Sequence, residues 1–241
     1  MSNIFAHRGS SGKYPENTML AFKKAEKTGC YGIELDVQMS KDRECFVIHD
    51  ETVNRTTNGR GYIKDKTLKE IKKFSIKSGW LKKERIPLLD EVLEWAQHNS
   101  LIINIELKND KIRYEGMEEL VVQKVAKFNL EERVIFSTFN LQSVRKLKEL
   151  TNSEVAALYS KKGTNPLLLA QSTGADAIHA NQRVMTEKLM KDCQQNGVPV
   201  RLYTLNKPVA IEKWIQAGLN GVITDYPELA EQLKKKRAVK A

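Results

Sequence analysis

The chain has 241 residues, 41% of them hydrophobic, and a formal net charge of +10. That length and apolar fraction suit one large folded domain over residues 1–241 and exclude a chiefly disordered chain. The positive balance fits an anionic substrate or a lysine-rich surface. Its densest run, Lys234 to Arg237, falls at the chain end, where fraying is expected, and has no interleaved aromatics, so no nucleic-acid partner is expected. Three widely spaced cysteines, Cys30, Cys45 and Cys193, exclude a disulfide framework and fit a reducing compartment. No apolar run approaches the roughly 20 residues of a membrane span, and the start of the chain carries no basic-plus-apolar leader. A cytoplasmic monomer or homodimer is expected.

Short Val/Ile-rich runs alternate with longer amphipathic ones. Strands are predicted at Ile4–Arg8, Ile33–Gln38, Cys45–His49, Ile102–Leu107, Val134–Ser137, Val155–Leu158, Ala177–His179, Val200–Tyr203 and Gly221–Thr224. Helices are predicted at Thr18–Lys27 (with Asn17 as N-cap), Leu88–His98, Glu115–Phe128, Leu141–Leu150, Thr186–Asn196, Ala210–Ala217 and Glu228–Lys235; Gly197 and Gly218 close two of them. The alternation predicts an α/β fold with a mainly parallel sheet. The link Met39–Glu44 is too short for a parallel crossover. The second and third strands therefore form a hairpin, and eight strands remain for a (β/α)8 barrel of the TIM type. A turn on Asp42-Arg43 places Lys41 opposite Glu44 and Asp36 opposite His49. Residues 51–86 break the alternation and read as a small insertion above the C-terminal face of the barrel, where loops build active sites. Within it lies a short helical pattern at Leu68–Phe74.

Three carboxylates stand on predicted strands, where acidic residues are depleted: Glu34, Asp36 and Glu106. Glu34 and Asp36 share a face. Carboxylates converging on one rim repel unless a cation offsets them, and all-oxygen ligation favours Mg²⁺ or Ca²⁺, with Mn²⁺ possible. The alternative is a set of structural ion pairs. His7 and His49 end strands, as a general acid/base pair would. Arg8 and Lys108 stand beside the acids and suit phosphate oxygens. Glu16, in Pro15-Glu16-Asn17-Thr18, lies on a loop at the same rim, and Phe139 and Tyr203 are candidates to line a substrate pocket. His179 reads as structural, and His98 receives no role. Together these residues are equipment for phosphoryl-ester cleavage, on a small-molecule substrate.

The chain resembles the bacterial glycerophosphodiester phosphodiesterase family over nearly its whole length. The resemblance is carried by Ala6-His7-Arg8-Gly9, Pro15-Glu16-Asn17-Thr18, Ile33-Glu34-Leu35-Asp36-Val37, His49-Asp50, Arg55-Thr56-Thr57, Pro87-Leu88-Leu89, Ile105-Glu106-Leu107-Lys108 and Ile223-Thr224-Asp225-Tyr226-Pro227, in order. It implies a TIM barrel with a small insertion, a divalent metal on Glu34, Asp36 and Glu106, His7 and His49 as acid and base in unassigned order, and Arg8 and Lys108 on the phosphate. The implied products are sn-glycerol 3-phosphate and an alcohol. The chain departs from the family pattern at Tyr203-Thr204, where Trp-Thr is frequent, and at Arg43, where Gly is common. Rival readings are a lysophospholipase D on lysophospholipids and a catalytically silent barrel that only binds.

Overall fold

The computed structural model describes residues 2–76 and 84–238. Its strands are β1 (Asn3–His7), β2 (Gly32–Met39), β3 (Cys45–Val47), β4 (Ile102–Leu107), β5 (Val134–Thr138), β6 (Glu154–Tyr159), β7 (Ala177–Asn181), β8 (Val200–Tyr203) and β9 (Gly221–Thr224). All but β3 run parallel, and β1 pairs with both β2 and β9, which closes an eight-stranded barrel. Around it pack α1 (Met19–Glu26), α3 (Leu89–Ala96), α4 (Met117–Lys127), α5 (Leu141–Leu150), α6 (Pro166–Thr173), α7 (Glu187–Gln195), α8 (Pro208–Gln216) and α9 (Pro227–Ala238), with a one-turn α2 (Leu68–Ile71) preceding α3 in the chain. No helix among the described residues is long and apolar enough to cross a membrane. The basic run expected to fray continues as helix to Ala238.

The two-residue period of the strands sorts the side chains. Ile33, Leu35 and Val37 of β2, and Ile103, Ile105 and Leu107 of β4, face the helices and join the main core. The opposite rows face the barrel axis, where Phe5, Ile135, Ala156, Ala177 and Ile223 form a separate apolar plug. The same parity commits Glu34, Asp36 and Glu106 to the barrel interior.

α6 has no counterpart in the sequence reading. Its consecutive Leu167-Leu168-Leu169 shows no helical spacing. The helix is defined instead by its ends: Asn165 Oδ1 accepts from the N–H groups of Leu167 and Leu168, Pro166 opens the first turn, and Gly174 (φ +72°) stops it.

The hairpin forms, but its register is one residue away from the expected one. Val37 faces Val47, Gln38 faces Phe46 and Met39 faces Cys45. The loop holds three residues, Lys41-Asp42-Arg43, closed by Ser40 N–H donating to Glu44 O at 2.9 Å and Arg43 N–H donating to Ser40 O at 3.0 Å. Arg43 occupies the left-handed region at φ +64°, as the last residue of such a loop does. His49 therefore lies beyond the end of β3 and not directly across from Asp36, whose carbonyl accepts the N–H of Ile48 at 2.9 Å.

Phe46, Ile48, Val53, Ile63, Ile71, Ile76 and Ile86 build a small apolar cluster of their own beside the barrel mouth. It spans the segment expected as an insertion, of which residues 77–83 lie outside the described residues.

Candidate active site

The neighbouring strands β2, with Glu34 and Asp36, and β4, with Glu106, bring the three carboxylates together. One oxygen from each of Glu34, Asp36 and Glu106 lies within 4.8 Å of the others. Glu34 and Asp36 are buried, and Glu106 nearly so. Burial, then the charges of Asp36 and Glu106, push the Glu34 carboxyl well above its ordinary range. Glu106 is pushed up to about 7, again chiefly by burial, with Lys108 opposing. Burial also acts to raise Asp36, but Arg8, Lys108 and His49 together hold it below the usual value. Two of the three acids are thus raised, which is the signature of acidic groups lacking enough positive charge.

Asp36 Oδ1 is buried without a hydrogen-bond partner, and so is the nearby Asn104 Oδ1. Buried oxygens of this kind are rare without a ligand or water. An all-oxygen cluster with an orphaned carboxylate oxygen fits a hard divalent cation.

The other side chains of this cluster are fixed by local backbone features. Arg8 (φ +56°) turns the chain at the end of β1, and Gly9 (φ +78°) follows so closely against α1 that a Cβ would sit 2.7 Å from the Ala21 backbone. The turn aims the Arg8 N–H at Glu34 Oε2 (2.8 Å) and its Nη1 at Glu16 Oε1 (2.9 Å). Arg8 Nε lies 3.2 Å from Asp36 Oδ2, close enough to pair electrostatically but not aligned as a hydrogen bond. Asn17, expected as an N-cap, instead takes φ +54° and donates Nδ2–H to Asp36 Oδ2 at 2.8 Å; Thr18 caps α1. Asn tolerates that conformation better than most residues, which frees its amide for the site. Lys108 Nζ donates to Glu106 Oε1 at 2.6 Å and stands 3.9 Å from Asp36 Oδ1. Burial opposes its charge, and the two carboxylates more than restore it.

His7 and His49 each have Nδ1 beside a carboxylate. His7 Nδ1 lies 2.6 Å from Asp225 Oδ1, and His49 Nδ1 lies 2.8 Å from Asp50 Oδ1. With the Nδ1 proton donated to the acid, Nε2 is left for the cavity. His49 Nε2 is 3.4 Å from Lys108 Nζ. Burial lowers the His49 pKa, Asp36 opposes, and Arg8 and Lys108 lower it further. Asp225 is itself held by Asn206 Nδ2 (2.5 Å) and Ser11 Oγ (3.1 Å). The sequence reading took Asp225 for a loop residue and did not consider Asn206. The pairing of His7 with Asp225 spans 218 positions, and no local spacing announces it.

His7, Arg8, Glu34, His49, Glu106 and Lys108 line a cavity of about 260 Å³, whose lining also includes Phe139, Leu158 and Tyr203. Phe139 packs edge-on against Tyr203, with ring centroids 6.3 Å apart, and Lys108 Nζ lies 5.9 Å over the Phe139 ring. Glu16 does not face the cavity directly in this arrangement: it bridges Arg8 and Arg55. Below the cavity, His179 is fully buried against Arg201, Nε2 to Nη1 at 3.2 Å, and Arg201 pairs with Glu154 through both terminal nitrogens. Burial and then Arg201 drive the His179 pKa well down, so it is a neutral floor residue. His98 is exposed and remote from these groups.

Comparison with known proteins returns one family model, the glycerophosphoryl diester phosphodiesterase family, matching residues 7–229. A glycerophosphodiester phosphodiesterase from Caldanaerobacter subterraneus subsp. tengcongensis is 41% identical over 237 residues, covering 97% of this chain and 98% of that one. Another, from Bacillus altitudinis, is 38% identical and covers 98% and 99%. Among solved structures, an Oleispira antarctica phosphodiesterase in complex with the product sn-glycerol-3-phosphate superposes with a TM-score of 0.84 at 27% identity, covering 98% of this chain and 97% of that one.

Proposed function

The chain belongs to the glycerophosphoryl diester phosphodiesterase family and is an enzyme of that activity; from that premise we propose that it cleaves small glycerophosphodiesters to sn-glycerol 3-phosphate and an alcohol through a cation-assisted, two-histidine mechanism. The observation that carries this reading is the buried cluster of Glu34, Asp36 and Glu106, in which one Asp36 oxygen accepts no hydrogen bond, flanked by two histidines each tied to a carboxylate. These three acids would hold one Mg²⁺ or Ca²⁺, with Mn²⁺ a further fit, and such an ion supplies Lewis-acid polarisation of the phosphoryl oxygens when bound.

The chain's own residues account for the rest. Arg8 and Lys108 hold the phosphate oxygens and offset the charge that builds on them. His49, kept neutral by burial and its cationic neighbours, takes the proton of the attacking hydroxyl on Nε2. His7 gives a proton from Nε2 to the departing alcohol, and Asp225 offsets the charge of the protonated ring. One P–O bond forms to the attacker, one breaks to the alcohol, and the two histidines exchange protonation states. The attacker is water or the substrate's own glycerol hydroxyl; the second route passes through a cyclic phosphate visible by phosphorus NMR. Phe139 and Tyr203 bound the glycerol end. Glu16 acts on the phosphate through Arg8.

The cavity of about 260 Å³ suits a glycerophosphate group and offers little room for an acyl chain. Three free, buried cysteines suit a reducing, cytoplasmic setting. We take residues 51–86 as a subdomain inserted into one barrel domain. The deciding experiment is release of glycerol 3-phosphate from glycerophosphocholine with and without EDTA, then with Mg²⁺ or Ca²⁺ restored. Chelator-sensitive, cation-restored activity is expected. Full activity in EDTA would remove the cation from the mechanism, and turnover of lysophosphatidylcholine alone would move the substrate class.

A further inference from the structure

The loop after β1 and the segment after β3 meet through a side chain that has no part in the chemistry above. Arg55 donates Nε–H to Asp50 Oδ2 at 2.7 Å and Nη2–H to Asp50 Oδ1 at 3.0 Å. Its other edge donates Nη1–H to Glu16 Oε2 and Nη2–H to Glu16 Oε1, both at 2.7 Å. The two carboxylates it grips are the supports of two different site residues. Asp50 holds Nδ1 of His49 at 2.8 Å, and Glu16 accepts from Nη1 of Arg8 at 2.9 Å. We propose that Arg55 is a positioning residue, which locks His49 and Arg8 into one frame and so couples the proton-transfer side of the site to its phosphate clamp.

The alternation of charge runs unbroken from Arg8 through Glu16 and Arg55 to Asp50, which accepts from the neutral His49 ring. A planar guanidinium with donors on two edges fixes both carboxylates relative to its own plane, which a point charge cannot do. Fold stability is a poor explanation for this arrangement. The Arg55 side chain is 48% exposed, and ion pairs in such settings add little to folding. Position is the better one. With both oxygens of Asp50 engaged by Arg55, the carboxylate cannot turn away from His49. The ring then keeps its Nδ1 proton on Asp50 and its Nε2 toward Lys108. The charged groups that act on His49 are Asp50, Lys108, Asp36 and Arg8. Hydrogen bonds from Arg55 come first among the causes that hold Asp50 far below its ordinary range. Without Arg55, more of the Asp50 charge falls on the imidazole.

The kinetic consequence rests on the functional reading above, whereas the geometric one can be read on the protein itself. The chain has four histidines, so ¹H–¹⁵N spectra of the imidazoles can be assigned in the wild type, Arg55→Gln and Arg55→Lys. The wild type should show His49 neutral with its proton on Nδ1. In Arg55→Gln the tautomer should become mixed and the His49 titration should move up by about half a pH unit or more, with exposed His98 as an unmoved reference. Turnover of glycerophosphocholine should fall ~10–100-fold, with KM changed less than about threefold. Arg55→Lys, which keeps the charge and protects against misfolding, should restore the titration in part and the tautomer and turnover poorly. An unchanged His49 tautomer and titration in Arg55→Gln would overturn the inference, even with a lower melting temperature, because that pattern belongs to a mere brace. If the wild type released no glycerol 3-phosphate, the functional reading would fall, and the spectra would still decide the role of Arg55.

Discussion

The barrel encloses two ionic clusters, and they are built on opposite terms. On the floor, one acid, Glu154, meets one cation, Arg201, through a bidentate contact, and the neutral His179 lies against them. Arg201 also stacks over the Phe5 ring, 5.4 Å from its centroid, and a Cβ on Gly221 would collide with its stem at 2.7 Å. At the mouth, three acids meet two cations, and two of the acids are raised above their ordinary range. Buried atoms with no hydrogen-bond partner occur in both clusters, Asp36 Oδ1 and Arg8 Nε at the mouth and Arg201 Nε and His179 Nδ1 on the floor, and of these only Asp36 Oδ1 is an acceptor. The floor balances its own charge; the mouth is left wanting more positive charge. That difference separates a structural ion pair from a candidate ligand site better than burial does, since Arg201 and His179 are as buried as Glu34 and Asp36.

The comparison is broken most severely at the mouth. Asp36→Asn or His49→Ala should lower turnover of glycerophosphocholine by ~10²–10⁴-fold, with the folded signal by circular dichroism retained; near-normal rates in either variant would deny those residues their roles. The converse substitution at the floor, Arg201→Met, strands Glu154 and should destabilise the fold by about 3 kcal/mol, toward the low end for broken buried pairs because Glu154 is partly exposed. Urea denaturation measures the loss, and the fraction still folded should keep its specific activity.

The sign of the pH dependence sharpens the contrast further. Glu106 has a folded-state value near 7 against 4.5 unperturbed. Between those values the unfolded chain loses a proton that the folded, chelated protein keeps. Its stability contribution is therefore present below about pH 4.5 and is lost as pH rises through about 7, on the order of 3 kcal/mol from this residue alone. Glu34 acts in the same direction. His49 and His179, whose values are lowered, act in the opposite direction, so the decline is read by thermal denaturation in EDTA as the stability of the wild type minus that of Glu106→Gln, and added cation should abolish it. A difference that grows in favour of the wild type over that interval in EDTA would contradict the charge imbalance at the mouth. The smallest effect is expected from Tyr203→Trp. It restores the aromatic frequent in the family at a residue that also donates to the Tyr159 carbonyl at 3.1 Å, and it should change KM by no more than a few-fold.

How much of this was legible in the sequence follows from the range of the interactions. The strand-helix alternation and the placing of acids on strands are local patterns, and they were enough to assign the barrel and to gather Glu34, Asp36 and Glu106 on one side of it. The hairpin was legible as a hairpin, but its register depended on Arg43 adopting a left-handed conformation that its side chain does not advertise. Asn17 looked like a cap because the residue type favours caps; only the fold shows its amide reaching Asp36. α6 was hidden by its run of leucines. The carboxylate behind His7 was hidden by distance along the chain, since Asp225 and Asn206 come from the last two barrel strands and the loops they lead into. Arg55 was visible only as part of a motif, and its two-sided grip needs the insertion folded against the first loop.

The most direct test of the charge imbalance is a calorimetric titration of the chelated protein with Mg²⁺ or Ca²⁺ at pH 7, in two buffers of different ionisation heat. The wild type and His49→Ala should each bind one cation and release protons as they do so, since Glu34 and Glu106 are raised above the ordinary carboxylate range. Asp36→Asn should bind none, or far more weakly. Cation binding that survives Asp36→Asn would contradict the assignment of the mouth as the cation site, and binding that releases no proton at pH 7 in the wild type would contradict the charge imbalance.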